Sequence, residues 1–304
     1  MNRFFWMLRR EVWEHKAIWV APAIVIGCLL LLVVTGNVHL GPIGTLGEDT
    51  PLGDFPRDVQ LKLLLVVYAG LALVVDMVMG IVAFFYSLDS LYADRRDRSV
   101  LFWKSLPLSD AETVLSKFTV AAVVIPLVTL AAAVIAQFIV AAGGSAKLAL
   151  SGLPAEVMWQ PQAILGGIVI AALWCITAVL WYAPVIAYLM LASAWAPKAP
   201  FLWAVLPPVA VWVVERVVLY SEYVGDFLTE RLFGLYQLLA PSREVEAEIE
   251  NDDVGAEIAR LGDVDLVGNL ADFYGSPDLW LGVVAAALLL AAAMWVRRYR
   301  EETA

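Results

Sequence analysis

Residues 88–117 read LDSLYADRRDRSVLFWKSLPLSDAETVLSK and separate two long apolar runs. Five bases stand in this stretch, Arg95, Arg96, Arg98, Lys104 and Lys117. Lys and Arg beside apolar spans concentrate in cytoplasmic loops, so the stretch is expected to be a cytoplasmic hinge. It is also organised. Ser109 lies just after Pro107 and three positions before Glu112, the spacing at which serine and glutamate satisfy each other's backbone N–H groups at a helix start. A capped helix is expected to begin there and run through Lys117 into the next apolar run. A push on its cytoplasmic end would pass along it as along a lever. The plainer alternative is an ordinary, well-capped re-entry into the membrane.

Outward from the hinge, the composition fixes the class. The 304 residues are 62% apolar and 16% charged, whereas soluble domains carry about 25% charged residues. The apolar excess falls in runs of about 20 residues, enough to cross a hydrocarbon core of about 30 Å. Segments alternating apolar and polar, the mark of a spanning β-barrel, are not evident. The expected fold is an all-α membrane protein, a single transmembrane domain over 1–304. Six transmembrane helices are expected at 17–35, 62–88, 118–142, 163–194, 201–220 and 279–296. The fourth run contains Pro184 and is read as one kinked helix, because two pieces would be too short to cross. Gly143-Gly144 is read as the start of an external loop reaching Gln162.

Residues 2–16 are expected to form an interfacial N-terminal helix, with Phe5, Leu8, Val12 and Trp13 at helical spacing and Trp6 and Trp13 at headgroup depth. The formal net charge of −10 hides a strong asymmetry. Thirteen of the twenty bases fall at the N-terminus, in the hinge, at Lys198 and at Arg297, Arg298 and Arg300. Acids crowd into 221–278, a segment too long for a plain connector. It is expected to be a helical external insertion with helices near 225–239 and 254–274. Both termini are then expected in the cytoplasm.

Catalytic signatures are missing. The chain has no G-x-x-x-x-G-K-[ST] loop, no H-E-x-x-H and no G-x-S-x-G. His15 and His39 fall on opposite sides of the membrane in this topology. Cys28 and Cys175 stand singly in apolar runs. No enzymatic activity, metal site or nucleic-acid partner is expected. Uphill transport would need an ion gradient or a partner. Charged residues inside spans mark the other possible route. Asp76 lies near the middle of the second run, as a lining or ion site or else as a hydrogen-bonded packing residue. Glu215 and Arg216 lie late in the fifth and are read as interfacial.

The stretch from Tyr86 to Lys117 resembles the signature loop of bacterial ATP-binding-cassette permeases of the type-2 exporter family. The likeness rests on LYADRRDRS, LFWKSLP and SDAETVLSK. It implies a half-transporter that pairs with a second permease copy or a paralogue, and with cytoplasmic ATPase subunits that bind ATP and Mg. It also implies a cytoplasmic coupling helix between spans two and three. Arg95, Arg96, Arg98, Trp103, Lys104, Ser109, Asp110, Glu112 and Lys117 become candidate docking or coupling residues. The implied setting is the bacterial cytoplasmic (inner) membrane, and the implied cargo a peptide, antibiotic, lipid-like or other amphipathic molecule. Two other functions fit the residues alone: an ion-coupled carrier using Asp76, and a non-transporting sensor or scaffold with an acidic external domain.

Overall fold

The computed structural model describes residues 3–35, 56–97, 109–150, 152, 154–239 and 266–300, and among these it contains helices and turns but no strand. Six helices are long and apolar enough to cross a membrane: Ala17–Thr35, Arg57–Arg96, Asp110–Leu150, Ala155–Trp195, Pro200–Leu219 and Pro277–Tyr299. They are called the first to sixth long helices. Six such helices make a multi-pass membrane protein. A separate helix, Arg3–Glu14, precedes them.

The first long helix has the expected bounds. The second is longer than expected at both ends, starting after Pro56 and ending at Arg96. Its extension takes in the first part of the hinge. Ser87, Ser90, Leu91 and Asp94 are buried there, and this spacing of three or four keeps one helix face packed through the segment read as a loop. Residues 98–108, with Arg98, Trp103 and Lys104, lie outside the described residues.

The third long helix begins at Asp110, and the capping box is present in full. The Glu112 N–H donates to Ser109 Oγ at 3.1 Å, and the Ser109 N–H donates to Glu112 Oε2 at 2.8 Å. A π-turn at Val120–Val124 precedes Pro126, and the Ile125 N–H reaches back to the Val120 carbonyl. Proline supplies no N–H and crowds the carbonyl four residues before it, so a widened turn is the local remedy. The helix then runs on to Leu150, through Gly143-Gly144. The external loop expected from Gly143 is therefore corrected. These glycines are small because neighbours approach: a Cβ at Gly143 would strike Val33, and one at Gly144 would strike Met158. A short 3-10 turn, Ala155–Trp159, leads into Pro161–Trp195, which carries Pro184 without a break.

The fourth long helix is the hub, packed against the second and the sixth. Ala183, Ala187 and Ala194 on it join Ala286 and Ala293 of the sixth in one core. Small side chains allow two helices to approach closely where water provides no drive for association. Outward faces carry large apolar side chains such as Leu31, Met77, Leu127, Leu165 and Leu288, as lipid-facing helices do. In Pro200–Val214 of the fifth long helix, Ala204 is the buried residue.

The insertion shows a helix Tyr223–Phe233, a 3-10 turn Gly234–Leu239 and a helix Leu266–Gly275. Residues 240–265, with the acidic stretch and the start of the second expected helix, lie outside the described residues. The insertion folds back on the fourth long helix. Trp181 Nε1 donates to the Arg231 carbonyl at 3.0 Å, and the Tyr182 hydroxyl donates to the Leu232 carbonyl at 2.9 Å.

Candidate coupling site

Four elements end together at one face of the bundle, and each brings charge inside. Glu11 comes from the N-terminal helix, Asp94 from the end of the second long helix, Asp110 and Lys117 from the start of the third, and Arg297 from the end of the sixth. Helical register puts them there. Glu11 follows Leu8 by three and neighbours Val12, both packed on the core. Asp94 follows Leu91, Lys117 follows Val114, and Arg297 follows Ala293, each three or four residues beyond a buried apolar neighbour. Side chains at that spacing share a helix face.

The cluster is continuous. Lys117 Nζ lies 2.7 Å from Glu11 Oε1 and 3.4 Å from Asp94 Oδ1. The other oxygen of Asp94 meets an Arg297 terminal nitrogen at 3.1 Å, and Arg297 Nε meets Asp110 Oδ1 at 3.3 Å. The Tyr86 hydroxyl stands 3.3 Å from both Glu11 Oε2 and the Lys117 carbonyl. His15 completes the rim, with Nδ1 3.0 Å from the Glu11 carbonyl and its ring edge-on to Tyr86 at 4.7 Å. Lys117 is 2% exposed and Arg297 3%.

Buried ions cost several kcal/mol each to desolvate, and only close pairing with further hydrogen bonds offsets that cost. Here each ion has a partner of opposite sign, so the assembly is a joint. It ties the start of the third long helix to three other elements. Among the described residues there is no group of three or more His, Cys, Asp or Glu placed to hold a metal.

The remaining candidates divide by exposure. Lys117, read from the sequence as a docking residue, is instead inside the bundle with its ammonium engaged. Asp110 is half-buried and faces Arg297. Arg95 is also turned inward, donating to the carbonyls of Ser193 at 2.5 Å and Ala196 at 2.9 Å. It thereby caps the end of the fourth long helix, where a cation is favoured. Arg96 stays on the surface beside Asp89 and Asp97. Ser109 and Glu112 are exposed, and Leu115, one turn beyond Glu112, is 42% exposed. These three make a strip along the outside of the helix start.

Asp76 is remote from this joint; its Oδ2 accepts the Trp174 indole N–H at 3.0 Å. Glu215 is 5% exposed and takes the Ser221 hydroxyl and the Val224 N–H, each at 2.8 Å. It thus fixes the start of Tyr223–Phe233 onto the end of the fifth long helix. Arg216 is exposed and paired with Glu222.

Sequence reasoning missed Glu11, Asp94, Tyr86 and Arg297. The signal was present in register, since each lies on the apolar stripe of its helix. No protein-family model matches the chain, and searches of curated proteins and of solved structures return no match.

Proposed function

We propose that this chain is the membrane-spanning permease subunit of an ATP-binding-cassette exporter. It moves a peptide, antibiotic, lipid-like or other amphipathic molecule outward with ATP hydrolysed by a separate cytoplasmic subunit. The observation that supports this reading most is the third long helix. It starts at a full capping box, presents Ser109, Glu112 and Leu115 outward, and is keyed at its base to the N-terminal helix and to the second and sixth long helices. A force on the exposed strip would reach all four elements at once through Lys117 and Asp110.

In this reading the hinge is cytoplasmic, both termini are inside, and the N-terminal helix lies on the inner face of the bacterial cytoplasmic membrane. Arg96, on the surface at the end of the second long helix, opens the hinge loop to which Arg98, Trp103 and Lys104 belong. A second copy or a paralogue completes the pathway. ATP and Mg are bound by the motor, and the permease has no catalytic role of its own.

The test is ATPase activity retained on the affinity-tagged full chain after solubilisation in mild detergent. Glu112→Lys combined with Leu115→Lys should lower it more than about tenfold, since losing an interface anchor costs about 2 kcal/mol. Glu112→Gln, which keeps the capping box, should retain it. Wild-type activity on the double variant would contradict the docking strip.

A further inference from the structure

Asp76 is an acid within a long helix that takes no part in the joint. It sits between Val75 and Met77 on the second long helix. Among the described residues its hydrogen-bond partner is Trp174, and no Lys, Arg or His comes within 4 Å of it. An acid inside a spanning helix is expensive, and it is kept where a route or a ligand uses it.

Its level in the bundle is set by packing. Asp94 and Arg297 touch at one end. At 1.5 Å per residue, Asp76 and Leu279 each stand about 27 Å along their helices from that contact. Leu73 and Leu279 accordingly share a cluster with Trp174, Trp181, Leu235 and Leu238. Asp76 is therefore level with the start of the sixth long helix, where the insertion folds in, and about halfway along the second long helix, which runs on past it to Arg57.

The surroundings are aromatic. The Trp174 and Tyr236 rings lie 5.6 Å apart. The Tyr236 phenol is pushed up by burial and, secondarily, by the charge of Asp76. Further along the same face of the fourth helix, the Arg231 guanidinium sits 4.3 Å over Trp181. This aromatic wall thus already seats one cation, supplied by the chain itself. Leu235 and Leu238, 0% and 3% exposed, fill the apolar space beside it.

We propose that Asp76 with the Trp174 and Tyr236 rings is the subsite for the charged group of the cargo, that the cargo is an amphipathic organic amine, and that the Gly234–Leu239 turn covers the site. The proposal rests on the exporter reading. An ammonium would pair with the carboxylate while the Trp174 N–H holds its second oxygen. The ring faces add cation–π attraction, which grows as water is excluded. The apolar body of the amine would take the volume that Leu235 and Leu238 fill, so entry requires the turn to lift.

The experiment uses the full chain in nanodiscs, without ATP or motor. The probe is a dansylated diaminoalkane with one free ammonium, compared with its N-acetylated neutral twin, and binding to empty nanodiscs is subtracted. The wild type should bind the ammonium form at least about tenfold more tightly than the twin. Asp76→Asn should abolish that preference, and Asp76→Glu should keep it. Trp174→Phe should reduce it. Equal preference in Asp76→Asn, or none in the wild type, would overturn the subsite. If Asp76→Asn fails to fold, Trp174→Phe and Tyr236→Ala decide, and full preference in both would overturn the proposal. Loss of preference with ATPase co-purification intact removes the subsite alone. Loss of co-purification with the preference intact removes the motor reading alone.

Discussion

Lys117 illustrates how burial decides what a base does. In the sequence it is one more hinge cation; in the fold it is 2% exposed and held by Glu11 and Asp94. Removing Lys117 leaves Asp94 with Arg297 but strips Glu11 of its lysine partner, and breaking a buried pair in this way costs about 3–5 kcal/mol. Lys117→Met should therefore lower the thermal midpoint of the solubilised protein markedly, and adding Glu11→Gln should recover part of the loss. A double-mutant cycle on the pair measures the coupling. Additive effects would show that the two charges do not meet. Asp94 and Arg297 belong to the same joint and were legible only in part. Their place three or four residues beyond Leu91 and Ala293 put them on a buried stripe, but the sequence does not say which stripes converge. Convergence depends on how four helices pack, and no local pattern encodes it.

At the scale of the element, the third long helix carries the account. Its start was readable because a capping box is local chemistry, settled by residues three apart. Its far end was not. Gly143-Gly144 is an ordinary turn signal, yet in a packed apolar helix glycine also serves where a neighbour needs the room. Gly143→Leu distinguishes the two uses. In a loop it would be nearly neutral. Here it must displace Val33 of the first long helix, and overpacking of this kind costs about 1–3 kcal/mol. The expected readout is a lower thermal midpoint, with partial rescue by Val33→Ala. An unchanged midpoint would argue for a loop. The second long helix teaches the converse. Arg95 and Arg96 looked like loop because they are charged, but both are helical and Arg95 is spent on the carbonyls that end the fourth long helix.

At the scale of the whole molecule, six apolar runs were plain in the sequence because each exceeds the length needed to cross a bilayer. The partial burial of the insertion was not. Its aromatic contacts with Trp174, Trp181 and Tyr182 join residues about fifty or more positions apart. The result is a bundle with a charged joint at one end and, about 27 Å along it, an aromatic, acid-bearing region where the insertion folds in. A transporter worked by an internal motor needs the joint inside and the insertion outside. The most direct measurement labels single thiols with a membrane-impermeant maleimide, in a chain whose two native cysteines, Cys28 and Cys175, are replaced by alanine. Glu112→Cys should react in inverted membrane vesicles and stay unlabelled in intact cells, while Tyr220→Cys, at a residue 89% exposed near the insertion, should do the reverse. Labelling of Glu112→Cys from the outside of intact cells would contradict the account.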